Sequence, residues 1–210
     1  MISCLLPLKG RYEQTLALLP RLRATAGMEY ELICVIDDDP GHPNIDSEAT
    51  LVLRTVRRIG YWNALSIAGD AATGNRFVFL ANDLLPGKDW LKNADRAYQV
   101  FPDGQGAVGF WDGVWHGQHA CHMLIGRELL RRWYGAALWP TCYDHCAGDN
   151  ELWDRAQQEN RLVVAPDAVL FHNHPRTGAE WDAVSRLGRK EQQRDAVLWR
   201  ERKAAGWPPL

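Results

Sequence analysis

The residues able to do chemistry in this chain lie in short polar clusters that interrupt apolar runs. Residues 76–83, Arg-Phe-Val-Phe-Leu-Ala-Asn-Asp, form an apolar run that stops at an amide and a carboxylate, Asn82 and Asp83. The run from Tyr30 to Ile36 stops at Asp37, Asp38 and Asp39, and the run from Ile2 to Leu6 is followed by Lys9 and Arg11. Carboxylates in such places can hold a divalent cation or accept hydrogen bonds from hydroxyls, while Lys and Arg can hold phosphate oxygens. Farther on stand Asp149, before a helical pattern, and His172 and His174, two residues apart after the last apolar run. Each also has an ordinary reading: Asn82 and Asp83 shape a turn before Pro86-Gly87, Asp149 caps a helix, and the histidines are surface residues.

Whether the clusters meet depends on the elements that carry them. Apolar, β-branched and aromatic runs predict strands over 2–6, 30–36, 51–53, 77–80, 107–111, 120–125, 162–165 and 168–171. Helical spacing predicts helices over 12–26, 59–73, 90–101, 126–134 and 150–160, with Pro20 kinking the first or starting a second. Strand and helix alternate, which implies an α/β fold with an open, mostly parallel sheet flanked by helices. Ligands of such sheets bind at the carboxyl ends of the strands. Lys9/Arg11, Asp37/Asp38/Asp39 and Asn82/Asp83 therefore converge on one edge, which offers cations for a diphosphate and acceptors for a base and ribose. No P-loop and no Gly-x-Gly-x-x-Gly fingerprint is present, so glycines are not the phosphate cradle.

The chain has 210 residues, enough for one domain with a sizeable core, and a formal charge of −2, which argues against a surface that coats nucleic acid. Five cysteines is an odd count, and Cys4 and Cys34 lie inside apolar runs, as in a reducing compartment. No apolar run reaches the length of a membrane span or a signal peptide's apolar region, so a cytoplasmic protein is expected. Ten tryptophans are many; most are expected in the core, although several lie near the polar clusters, where they could line a sugar or base site. Cys142, His145 and Cys146, with Cys121 and His122 upstream, leave a structural zinc open, but their spacing is not that of a zinc finger. Residues 1–175 are expected to form the main domain and 176–210 a basic amphipathic helical tail. Such a tail is a solvated face docked by its apolar stripe, or a contact for a lipid surface or nucleic acid.

The order and spacing of these motifs resemble the GT-A glycosyltransferases, in particular the large inverting family 2. Ile2-Ser3-Cys4-Leu5-Leu6-Pro7-Leu8-Lys9-Gly10-Arg11 is similar to that family's opening strand and nucleotide-contacting loop, and Ile33-Cys34-Val35-Ile36-Asp37-Asp38-Asp39 to its second strand and acidic pair. Gly60-Tyr61-Trp62-Asn63-Ala64 resembles the Gly and Asn before the helix that leads to the metal-binding strand, and Leu80-Ala81-Asn82-Asp83 stands where the family has Asp-x-Asp. Gly148-Asp149-Asn150-Glu151 resembles the helix start that carries the catalytic base, and Val164 to His172 the closing strand with its terminal His. The resemblance implies a GT-A, Rossmann-like fold and transfer of a sugar, with inversion, from a nucleotide-diphosphate sugar to an acceptor hydroxyl.

By the same resemblance Asp149 is the general base, and Pro7, Lys9, Arg11, Asp37, Asp38, Asn63, Asn82 and Asp83 contact the donor. Because positions 81 and 82 are Ala and Asn, Asp83 is the main carboxylate for Mn²⁺ or Mg²⁺, with His172 as the second protein ligand. The expected donor is a UDP-sugar; the acceptor stays open among a soluble glycan, a lipid-linked sugar, a protein and a nucleic-acid base. Two other readings remain: a GT-A-like module that binds nucleotide or glycan without transfer, and a nucleotidyltransferase, which lacks its Gly-rich triphosphate loop here.

Overall fold

The computed structural model describes residues 1–115 and 117–210. Its strands are β1 (Ile2–Leu8), β2 (Glu31–Asp37), β3 (Leu51–Thr55), β4 (Arg76–Phe79), β5 (Leu84–Pro86), β6 (Ala107–Trp111), β7 (Met123–Gly126) and β8 (Leu162–His172). They form one sheet in the order β3-β2-β1-β4-β7-β6-β8-β5. The β3-β2-β1-β4 half is parallel; β7 runs antiparallel to both β4 and β6, β8 is parallel to β6, and β5 is antiparallel to β8.

Helices cover both faces, which is why the central strands read as continuous apolar runs rather than alternating ones. On one face Cys4, Leu6 and Leu8 of β1 pack with Leu18, Leu19 and Leu22 of α1 (Tyr12–Thr25) and with Trp90 and Leu91 of α3 (Trp90–Tyr98). On the other, Leu5, Ile33 and Val35 pack with Trp62 and Leu65 of α2 (Tyr61–Ala71), Leu129 of α4 (Arg127–Tyr134) and Leu152 of α5 (Gly148–Gln158). The alternation of Leu5 against Cys4 and Leu6 is the two-residue period of a strand. A last helix, α6 (Ala183–Ala204), runs back across the carboxyl edge.

Four local expectations change. Pro20 starts no second helix: α1 runs through it, with Pro20 and Leu16 both exposed, so the carbonyl deprived of its partner can meet water. Residues 84–86, for which no element was expected, form β5, whose pairing of Leu84 with His172 brings two distant parts of the chain together. The two closing strands are one, β8, irregular opposite Phe110 and Trp111, where Pro166 has no N–H for the ladder. Asp149 is not a helix cap: Ala147 holds that place in the left-handed region (φ 67°), and Asp149 lies in the first turn of α5.

Candidate active site

The pairing of β5 with β8 sets Asp83 beside His172, with the Asp83 carbonyl accepting the Asn173 N–H at 2.8 Å. His172 Nε2 lies 3.2 Å from Asp83 Oδ1, and Asp83 Oδ2 accepts from Arg11 Nη1 at 2.7 Å. Burial by itself would push the Asp83 carboxyl up, but the His172 and Arg11 charges beside it bring it well below the usual carboxylate range. His172 is shifted up overall: burial lowers it, and Asp83 more than offsets that. Behind them His122 is buried, with Nδ1 donating to the Phe79 carbonyl at 3.0 Å and its ring 5.3 Å from that of His172. Burial pushes His122 down to about 4, so the ring is neutral at neutral pH.

Arg11 does more than face Asp83. Its Nε donates to Asp182 Oδ2 at 2.6 Å and its Nη2 to Ser185 Oγ at 2.8 Å, tying the loop after β1 to the start of α6. Asp182 caps that helix by accepting the Ser185 N–H at 2.7 Å. Asn82 holds the same loop from below, donating to the Gly10 carbonyl at 3.3 Å and to Thr15 Oγ1 at 3.2 Å.

Beside this corner the sheet edge forms a cavity of about 60 Å³ whose walls include Pro7, Lys9, Asp37, Tyr61 and His145, with Val184 and Leu187 of α6 closing it. Ligand pockets commonly measure about 300–1,000 Å³, so with α6 closing it this cavity is smaller than a usual ligand pocket. Asp37 organises the floor: its carboxylate accepts the N–H groups of Ile59 at 2.9 Å and Gly60 at 3.0 Å and the Thr55 hydroxyl at 3.0 Å. Lys9 Nζ donates to the carbonyls of Asp37 and Asp38, each at 2.9 Å, while the Asp38 residue is exposed with φ 49°. Asn63 is not in this wall. Its amide donates to the carbonyls of Ile59, at 3.1 Å, and Thr141, at 3.5 Å, so it joins α2 to the loop before α5.

On the other side Asp149 Oδ2 lies 3.3 Å from His119 Nε2. Burial raises the Asp149 carboxyl, and His119 outweighs it, leaving the group below its ordinary value. Burial and the Asp149 and Asp83 charges all push the Tyr61 phenol up, and its hydroxyl donates to the Leu80 carbonyl at 2.9 Å. The zinc reading of Cys142, His145 and Cys146 does not hold together. Among the described residues the one set of three metal-binding side chains is His119, Cys121 and Asp149, with ligand atoms within 4.8 Å of one another.

Several supporting residues had no signal in the sequence. Glu151 is fully buried and accepts from Arg202 Nε at 2.8 Å, Arg202 Nη2 at 2.9 Å, Tyr143 at 2.7 Å and Tyr134 at 3.1 Å. Asp195, also fully buried, accepts the N–H groups of Asp144, His145 and Cys146 and so shapes the loop that supplies His145 to the cavity. Glu151 has Arg155 four residues on, and Asp195 directly follows Arg194 in the basic tail, so in sequence each looks like part of a solvated face.

The residues at the corner fit a divalent cation. Asp83 Oδ1 is buried and forms no hydrogen bond of good geometry, its neighbour being the His172 imidazole nitrogen at 3.2 Å; a carboxylate oxygen and an imidazole nitrogen are a pair of donors suited to Mn²⁺ once the ring is neutral.

No family model matches the sequence, and no curated protein matches it. Solved structures do. A mannosyltransferase from Pyrobaculum calidifontis, in complex with GDP-Man and Mn²⁺, is 20% identical with a TM-score of 0.63, over 81% of this chain and 56% of that one. S. aureus TarS in complex with UDP is 15% identical with a TM-score of 0.61, over 80% of this chain and 59% of that one. Glucosyl-3-phosphoglycerate synthase from Mycobacterium tuberculosis, with Mn²⁺, UDP and glucosyl-3-phosphoglycerate, is 15% identical with a TM-score of 0.63, over 99% of this chain and 81% of that one. The chain therefore spans a little over half of the first two proteins, and the likeness is one of fold: this is the GT-A fold of those glycosyltransferases.

Proposed function

We propose that the protein transfers a sugar, with inversion, from a nucleotide-diphosphate sugar, in first place a UDP-sugar, to an acceptor hydroxyl. The observation that carries the reading is the buried pair of Asp83 Oδ1 and His172 Nε2, 3.2 Å apart, at the strand edge where Asp37 and Lys9 border a cavity. Asp83 and His172 would hold Mn²⁺ or Mg²⁺, which would supply charge neutralisation for the donor's diphosphate. Asp37 and the wall of Pro7 and Tyr61 receive the nucleoside, with Lys9 and Arg11 near the phosphates. Asp149 accepts the proton of the acceptor hydroxyl as that oxygen bonds to the anomeric carbon and the bond to the diphosphate breaks.

The acceptor enters on the Asp149 side. Exposed Arg189 and Lys190 on the tail 176–210 suit an anionic acceptor, such as a lipid-linked sugar or a nucleic acid. No described helix is long and apolar enough to cross a membrane. The odd count of five cysteines, all free, suits a reducing compartment such as the cytoplasm. The small cavity and the Arg11 contact on Asp83 favour a second reading, a module that holds nucleotide or glycan without transfer.

One experiment separates them: thermal shift with Mn²⁺ and UDP-, GDP- and dTDP-sugars, followed by assay of donor hydrolysis and transfer. A ligand bound only by the folded state raises Tm. A rise with slow donor hydrolysis supports the enzyme, a rise without any turnover supports the module, and no rise with any donor overturns both.

A further inference from the structure

We propose that His119, Cys121 and Asp149 form a second cation site, selective for a thiophilic divalent ion such as Zn²⁺, which silences the base when filled. The three donors are an imidazole nitrogen, a thiol sulfur and a carboxylate oxygen, all within 4.8 Å of one another. Three protein ligands with a fourth position left for water is the arrangement of open zinc sites. Bonds of about 2.0–2.3 Å in a tetrahedron need ligand atoms roughly 3.3–3.7 Å apart. His119 and Asp149 already stand at 3.3 Å, so closure by about 1 Å at Cys121 completes the set.

The site is held from behind. Asp112, 1% exposed, accepts the N–H groups of Val114 at 2.8 Å, Trp115 at 3.0 Å and Cys121 at 3.2 Å, fixing the loop between β6 and β7 at both ends. The His119 ring meets Trp115 and Trp153 edge-on, at 5.6 and 5.3 Å between centroids. Trp115 Nε1 lies 3.3 Å from Cys121 Sγ, pointing a donor at the sulfur that a thiolate would accept. Such outer contacts orient ligands before the ion arrives. Burial and the Asp149 and Asp112 charges keep the Cys121 thiol protonated, so cation binding releases that proton to solvent as the sulfur–metal bond forms. The mixed sulfur and nitrogen donors disfavour Mg²⁺ and Mn²⁺, which prefer oxygen. The Asp83 corner and this site thus take different ions.

The silencing part rests on Asp149 being the base; the binding part does not. The test uses the full chain freed of metal by a chelator. Zn²⁺ affinity is measured by competition with a chromogenic chelator, and Co²⁺ is added as a spectroscopic stand-in. The expected result is a thiolate-to-Co²⁺ charge-transfer band in the wild type and in Asp83→Asn, absent in Cys121→Ser, with Zn²⁺ affinity at least about tenfold weaker in Cys121→Ser and in His119→Gln. Circular dichroism identifies any variant that fails to fold, and the Co²⁺ band of the wild type then decides by itself. No sulfur band, or equal Zn²⁺ affinity in a folded Cys121→Ser, overturns the site. With Mn²⁺ saturating, Zn²⁺ should inhibit transfer by the wild type at concentrations about tenfold below those needed for Cys121→Ser. Equal inhibition overturns the silencing while leaving the site, and absence of any transfer overturns the proposed activity without touching the binding result.

Discussion

Arg11 and Asp83 are joined at 2.7 Å with side chains only 10% and 8% exposed, so the carboxylate expected to meet a metal is already held by a cation of the protein's own. The same guanidinium reaches Asp182, and a charge placed on Asp83 is felt at the start of α6. Arg11→Gln is expected to strengthen Mn²⁺ binding without nucleotide several-fold, because a competitor leaves the site. It should also cost about 3 kcal/mol of stability, since a buried carboxylate loses its partner. Calorimetric Mn²⁺ titration and urea unfolding check the two effects; unchanged Mn²⁺ affinity would show that the guanidinium and the ion do not compete.

Asp149→Asn keeps the shape of the side chain and removes its ability to accept a proton. Transfer should fall by about 10²–10⁴-fold with donor affinity unchanged. Turnover near that of the wild type, measured with a saturating donor, would remove Asp149 from the role of base.

Glu151 and Arg202 make the buried pair that locks α6 to α5. Glu151→Gln or Arg202→Met alone should cost about 3–5 kcal/mol, because each takes the main partner from a buried charge, leaving Arg155 at 3.5 Å as the cation beside Glu151 in the second case, whereas the double replacement should cost less than the sum. Urea unfolding of the four proteins in the cycle measures the coupling; additive losses would contradict it.

His122 predicts a loss of stability in acid. Its folded pKa is about 4, below the ordinary value near 6.5, so the unfolded chain binds a proton that the folded one refuses. The contribution is present in full above pH 6.5 and is lost as pH falls from about 6.5 to about 4, by at most about 3 kcal/mol. His122→Asn should flatten the pH dependence of unfolding free energy in that window, whatever its effect at neutral pH. Identical slopes for the two proteins would refute the assignment.

The features legible in the sequence are those set by local pattern. Apolar runs fully enclosed by helices, such as Ile33 to Ile36, announce central strands, and the polar residues after them announce the edge where a ligand can sit. Asp83 and His172 were readable because each ends such a run. Asn63 and Asn82 were expected to face the donor; in the fold their amides donate to carbonyls and a hydroxyl of neighbouring segments. Sequence cannot say which partner an amide will find. Residues 84–86 were hidden because a strand so short has no period to recognise, and its existence depends on β8. Asp195 and Glu151 were hidden because a buried acid and a solvated one look alike until the opposite helix face is known.

The pairing of Leu84 with His172 also sets a time order during synthesis. Asp83 leaves the ribosome with its strand long before its imidazole partner, which is made roughly 90 residues later, or about 4–18 seconds at ordinary translation rates. Through that interval β5 has no strand to pair with, and the corner's carboxylate has only Arg11. A cation held, as proposed, by both Asp83 and His172 therefore cannot find its full set of protein ligands on the nascent chain until the last strand is laid down.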